Sequence, residues 1–358
     1  MHRALLVLLL ALAACGGGDP PREPNVIAPP AAAVPIAPEP RAAAVESRAP
    51  AIEPRAAAAG APAREQLRGG RVVFPFAGTR APRRLLLRIR RGHAAGVLLL
   101  GRNVGPPATL RALTRSLHRA ARAGGQPPPL VMVDQEGGSV KRLPGAPRRS
   151  APAMTSTAIA RAEGRATART LRRAGVNVDL APVADVVRPG SALDREGRGF
   201  RGDVPALARA FAEGLQAGGV AATYKHFPGF GTATTNTDFA AQRLAAPTAA
   251  DLAPYRDTPA RLVMFSSAVY PALSDRPAVL SRAVAKRLRD LGFTGTTVSD
   301  DLETPALAGR DVTRAQADVL LFARTYSAAA RAAERLPADR AAFDRVQALR
   351  RSLAPAGP

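Results

Sequence analysis

Four apolar runs in this sequence end abruptly in polar, chemistry-bearing residues. Thr296-Thr297-Val298-Ser299 leads into Asp300-Asp301, and Val131-Met132-Val133 leads into Asp134-Gln135-Glu136-Gly137-Gly138, with Arg142 four residues past the glycine pair. Leu180-Ala181-Pro182-Val183-Ala184 leads to Asp185, and Lys225-His226 closes another run before Phe227-Pro228-Gly229. An apolar, β-branched run of this length reads as a buried strand. A carboxylate at its C-terminal tip is where a parallel α/β barrel carries catalytic groups. Any one of these tips is equally consistent with a salt bridge or a strand-end cap. Four together point to one small polar pocket in which carboxylates, an ammonium, an imidazole and a guanidinium present donors and acceptors suited to sugar hydroxyls.

The elements that position these residues follow from the spacing. Eight short runs read as strands: 71–76, 96–100, 130–134, 177–183, 220–226, 262–267, 296–300 and 318–322. Helical patterns lie between them, among them 108–123, 156–174, 205–217 and 281–291, and 323–353 reads as a closing helical tail. Strand–helix alternation implies a parallel sheet with helical crossovers. Eight such units over about 280 residues match a TIM-type (β/α)8 barrel. A doubly wound open sheet would want a glycine-rich phosphate loop after the first strand, and Phe74-Pro75-Phe76-Ala77-Gly78 does not supply one. Residues 65–358 are thus expected to form a single barrel with a helical tail.

Composition narrows the classes. Aromatic residues are 4% of the 358 and Trp is absent, so a long stacking groove for a polymer is unexpected. The net charge of +23 comes almost wholly from Arg, with Lys only at 141, 225 and 286. The Arg is spread through every segment, and no basic helix, zinc finger or aromatic-basic interleaving marks a nucleic-acid surface. With four histidines and one cysteine there is no metal set, and no nucleotide loop or other cofactor motif is visible. The one cysteine, Cys15, excludes an intrachain disulfide. It follows a short basic start and an apolar run, 4–14, that is too short to span a bilayer. Leu12-Ala13-Ala14-Cys15 resembles a bacterial lipobox, which implies a leader of residues 1–14 and acylation of Cys15. Secretion across the cytoplasmic membrane, with a lipid anchor facing the cell envelope, is the expected location. Residues 15–64 are Pro, Ala, Gly and Arg with almost no bulky apolar side chain, the composition of a disordered tether.

The words at the strand ends carry a family resemblance. Asp134-Gln135-Glu136-Gly137-Gly138, Ala181-Pro182-Val183-Ala184-Asp185-Val186, Lys225-His226-Phe227-Pro228-Gly229, Tyr270-Pro271-Ala272-Leu273 and Val298-Ser299-Asp300-Asp301-Leu302 occur in this order. The chain from about residue 70 to 322 resembles the catalytic barrel of glycoside hydrolase family 3, closest to single-domain bacterial β-N-acetylglucosaminidases acting on cell-wall fragments. The resemblance implies that Asp300 is the nucleophile of a retaining β-glycosidase. It implies that Asp134 binds sugar hydroxyls, and that Arg142, Arg198, Lys225 and His226 are sugar-binding donors. The substrate it implies is a terminal β-linked amino sugar of a glycan. Cationic donors near Asp300 would keep it ionised. On a regular strand Asp301 would point to the opposite face and serve the structure.

One word departs from the family. In the N-acetylglucosaminidase branch a His held by an Asp, in Asp-Ser-His, supplies acid/base catalysis on the loop after the fifth strand. Here the corresponding residues are Asn236-Thr237-Asp238. His2 lies in the leader, His93 and His118 fall in helical stretches, and His226 fills a sugar-binding position. Asp238 is then the candidate general acid, as a carboxyl with a raised pKa. The alternatives are a sugar-binding lipoprotein without catalysis, or slow chemistry restricted to good leaving groups.

Overall fold

A computed structural model describes residues 61–353. The leader of 1–14, Cys15 and nearly all of the 15–64 tether lie outside the described residues. Eight strands form one parallel sheet: β1 (Val72–Phe74), β2 (Gly96–Leu99), β3 (Leu130–Val133), β4 (Val178–Asp179), β5 (Ala221–Phe227), β6 (Leu262–Phe265), β7 (Thr296–Ser299) and β8 (Leu320–Leu321). Each pairs with its sequence neighbour, as in Leu98 opposite Met132 and Val298 opposite Met264. β8 pairs with β1 through Val72 and Leu320. The ring closes where Ser299 N–H donates to Val319 O and Val319 N–H to Thr297 O, both at 2.9 Å. The expected (β/α)8 barrel is the fold.

Alternation along the strands builds two cores. Val73, Leu98, Leu130, Met132, Val178, Leu262, Met264, Val298 and Leu321 point into the barrel. Their neighbours Val72, Phe74, Val97, Leu99, Val131, Val133, Val263 and Phe265 point outward into the helix layer. Both sets are buried, which is why the strands read as continuous apolar runs and not as polar–apolar alternation. Helices α1 (Arg64–Gly69), α2 (Arg83–Arg90), α3 (Pro107–Ala123), α4 (Thr157–Arg173), α5 (Val204–Ala217), α6 (Arg282–Asp290) and α7 (Tyr326–Arg335) supply that layer. Their starts are fixed by side-chain caps where the sequence provides them: Ser156 accepts from Ile159 N–H at 3.3 Å and Asp203 from Ala206 N–H at 3.0 Å.

The last helix, α8 (Arg340–Ser352), decides which end of the barrel is open. Its Val346 and Leu349, with Leu353, join the inner core. Buried Arg350 donates to Pro128 O at 3.0 Å and Pro127 O at 2.6 Å, just before β3 begins. The N-terminal end of the barrel is thereby plugged, and the C-terminal end holds the cavity.

Two crossovers depart from the helical expectation. After β5 the chain makes only one helical turn, Ala249–Leu252, followed by a 3₁₀ turn. Between β7 and β8 there are 3₁₀ turns alone. Prolines, glycines and a β-branched threonine run at 232–237 disfavour helix there, so both connections are free to fold over the open end. His93 also differs: it lies in the turn after α2, whereas His118 is helical and sits 3.2 Å from Gly175 O.

Candidate active site

A cavity of 580 Å3 opens at the C-terminal end, lined by Asp134, Arg142, Arg198, Lys225, His226, Asp238 and Asp300 among others. All seven residues expected from the sequence therefore meet in one place, although they come from segments more than 160 positions apart. Cys15 lies outside the described residues.

The β3 end builds the first wall. Asp134 stands just past the strand, and Gln135–Gly137 turns back against Val140–Lys141 as a hairpin. Gly137 and Gly138 make that turn at φ +96° and +60°, the left-handed region that a side chain strains. Gln135 locks the hairpin from inside, donating to Leu143 O and Ala146 O and accepting from the Arg142 and Leu143 amides. The turn brings Arg142 to 4.0 Å from Asp134 and buries Glu136.

Glu136 is the residue whose role the sequence left unassigned. Its two oxygens take Arg198 Nε and Nη2, each at 2.9 Å, and Lys225 Nζ at 2.6 Å. Lys225 also donates to Asp134 at 2.8 Å, and Arg198 Nη1 to Glu196 at 2.9 Å. Burial pushes the Glu136 carboxyl up, but Lys225 and Arg198 outweigh it and hold Glu136 at about 2. Burial disfavours the charge of Lys225 and Arg198, yet their carboxylate partners raise both above their usual values. Arg198 and Lys225 thus spend most of their donors on Glu136, Asp134 and Glu196. A signal was available in the word that contains Glu136: a carboxylate one residue before a glycine pair, with more cations at the rim than its neighbour Asp134 can pair. Beneath it lies Asp179, fully buried, whose carboxyl is pushed up by burial and whose Oδ1 accepts from Gln135 N–H at 3.0 Å.

His226 is held from behind by Asp185. That buried carboxylate takes His226 Nδ1 at 2.8 Å, the His226 amide at 3.0 Å and the Phe230 amide at 2.6 Å. Nδ1 is therefore committed to Asp185, and the ring is fixed against the cavity.

The opposite wall carries the other carboxylates. Asp300 sits at the tip of β7 and accepts from the Asp301 amide at 2.8 Å. No cation lies within ion-pair distance of Asp300 among the described residues. This corrects the expectation of cationic donors beside it: the cations pair with Asp134 and Glu136 instead. Asp301 follows the strand end, so strand alternation does not govern it. It lines the cavity, takes Arg324 Nε at 3.0 Å and the Ala323 amide at 3.0 Å, and ties β7 to β8. Burial raises Asp301 to about 6, with a smaller push from Asp300, although the Glu303 amide and then Arg324 oppose it.

Asp238 reaches the cavity on the loop after β5. Thr304 Oγ1 donates to Thr237 O, and Arg324 Nη2 lies 3.6 Å from Asp238, so the loop is tied to the β7–β8 connection. Asn236 Oδ1 accepts from the Asp238 amide at 3.0 Å. Burial raises the Asp238 carboxyl, Asp300 raises it further, and Arg324, His226 and Arg198 pull the other way. Its side chain is still 51% exposed, so solvent screens these effects. Chemically, one wall offers hydrogen-bonding donors and acceptors, and the other offers three carboxylates, Asp238, Asp300 and Asp301, whose environments differ.

A parallel barrel with an acid- and base-lined cavity at the C-terminal ends of its strands has its site where enzymes of the (β/α)8 class carry theirs. The chain belongs to glycosyl hydrolase family 3: residues 76–332 match the model of that family's N-terminal domain. An uncharacterized secreted glycosyl hydrolase from Arthroderma benhamiae is 33% identical over 261 residues, 67% of this chain and 74% of that protein. A β-N-acetylhexosaminidase from Beutenbergia cavernae is 30% identical, with a TM-score of 0.71 over 80% of this chain and 98% of its own. A family 3 β-N-acetylglucosaminidase from a Paenibacillus strain is 27% identical with a TM-score of 0.73, and this chain spans 62% of its length.

Proposed function

We propose that this chain is a retaining β-glycosidase that removes terminal β-linked N-acetylglucosamine units from cell-wall or related glycans. The observation that carries this is the placement of Asp300 and Asp238 on one cavity, close enough that Asp300 raises the Asp238 carboxyl. In the first step a carboxylate oxygen of Asp300 bonds to the anomeric carbon. The glycosidic C–O bond breaks, and Asp238 gives its proton to the leaving oxygen. In the second step Asp238 takes a proton from water, whose oxygen bonds to the anomeric carbon as the ester to Asp300 breaks. A raised Asp238 is protonated more of the time, as the first step requires, while Asp300 must be ionised. Asp134, Arg142 and His226 bind the sugar hydroxyls. Lys225 and Arg198 bind through their remaining donors and hold Asp134 and Glu136 in place.

The leader of 1–14, acylation at Cys15, a tether over 15–64 and a barrel over 65–358 complete the proposal. The anchored protein would face the cell envelope, where its glycan substrate is found. The relative named as secreted supports export. No described helix is long and apolar enough to cross a membrane.

The test is turnover of p-nitrophenyl N-acetyl-β-glucosaminide beside the glucoside and xyloside. Preference for the first, abolished by Asp300→Ala, supports the proposal. A 2-fluoro or 5-fluoro sugar should label Asp300, and labelling of another residue overturns the nucleophile assignment. Release of the protein from membranes by Cys15→Ala tests the anchor.

A further inference from the structure

Phe239 is the next residue after Asp238, and it is 75% exposed. Among the described residues Leu87 is the other exposed large hydrophobic, at 37%, and it lies far from this cavity. The same loop buries its other aromatic, Phe230, against His226. What distinguishes Phe239 from a scattered surface hydrophobic is its place at the cavity mouth, where its open ring can add contact to a bound ligand. Phe239 lines the cavity. Its main chain is held: Asn236 O accepts from the Phe239 amide at 3.0 Å and from the Ala240 amide at 3.2 Å. Thr304 holds Thr237 on one side, and on the other the Leu244 amide donates to Val269 O at 2.8 Å.

We infer that Phe239 is the platform on which the leaving sugar of the substrate stacks. The inference rests on Asp238 as the acid that protonates the leaving oxygen, because a side chain beside that acid faces the leaving group and not the sugar held by Asp134 and Lys225. A β-linked pyranose carries its hydroxyls around the ring edge and presents C–H bonds on its faces. An apolar aromatic face matches that surface, because the slightly positive C–H hydrogens on the sugar face meet the negative face of the aromatic ring. In a chain without Trp this gives a single leaving-group position, not an extended groove.

The test compares N,N'-diacetylchitobiose, which places a sugar ring in the leaving position, with methyl N-acetyl-β-glucosaminide, which does not. The readout is the ratio of kcat/KM for the two substrates. Phe239→Ala should lower that ratio by about tenfold, and Phe239→Tyr should keep it within about twofold of the wild type. An unchanged ratio in Phe239→Ala overturns the inference, even if both rates fall together. Wild-type protein that hydrolyses neither substrate defeats the hydrolase reading, and affinity then judges the platform by itself. Tighter binding of chitobiose than of N-acetylglucosamine, lost in Phe239→Ala, supports it, and equal binding of the two by the wild type refutes it.

Discussion

Glu136→Gln keeps the shape of the side chain that anchors Arg198 and Lys225 in one wall of the cavity and removes its charge. In the folded protein Lys225 and Arg198 hold this carboxyl at about 2, against an ordinary 4.5. At about 1.4 kcal/mol for each tenfold change in proton affinity, the difference corresponds to about 3 kcal/mol. The folded value lies below the unfolded one. The stabilisation is therefore complete above pH 4.5 and drains away as pH falls toward 2. Breaking a buried ion pair from one side costs about 3–5 kcal/mol. Asp134 still pairs with Lys225 and Glu196 with Arg198, so the low end applies. At about 2–4 °C per kcal/mol for a domain of this size, Glu136→Gln should melt roughly 6–12 °C below the wild type at pH 7. The gap should close as both are titrated from pH 5 to pH 2.5, because the wild type alone loses this contribution. Activity gives a second readout: displacing Lys225 and Arg198 by an ångström should lower kcat/KM by about 10²-fold. A variant as stable as the wild type at pH 7, or a gap that does not change with acid, refutes the argument that Glu136 organises this wall.

Other perturbations test the opposite wall. Asp238→Ala should lower kcat/KM on a methyl glycoside by about 10²–10⁴-fold but far less on a p-nitrophenyl glycoside, whose leaving group needs little protonation. It should also erase the fall in activity with rising pH that deprotonation of Asp238 causes; the same loss on both substrates would argue against an acid role. Arg324→Met removes the cation that lowers both Asp238 and Asp301, so the alkaline limb of the pH profile should move to higher pH. An unmoved limb separates Arg324 from the acid. Asp179→Asn should be neutral or stabilising at pH 7, measured by denaturant unfolding. Burial raises the Asp179 carboxyl above its unfolded value, which costs stability once pH exceeds that value, and an amide oxygen still accepts from Gln135. A marked destabilisation would mean that the carboxylate form is needed.

The sequence by itself determined the barrel and the contents of its rim. Eight apolar runs buried on both faces, separated by amphipathic stretches, leave few arrangements other than a parallel closed sheet, and such a sheet gathers its strand tips at one end. Asp134, Asp185, Lys225, His226 and Asp300 were legible because each stands where an apolar run stops. Asp238 was found from its place after the fifth strand, by the departure of Asn236-Thr237-Asp238 from the family word. What the linear order could not decide was who pairs with whom. Cations expected near Asp300 instead pair with Glu136 and Asp134, leaving Asp300 without an ion pair among the described residues. Asp301 lines the cavity because the strand ends at Ser299, two residues before it, so alternation does not turn it away. Arg324, just past the end of β8, reaches both Asp301 and the Asp238 loop. Such pairings depend on distances across the barrel mouth of a few ångströms. Electrostatic attraction and desolvation change steeply over that range, and sequence spacing does not record it.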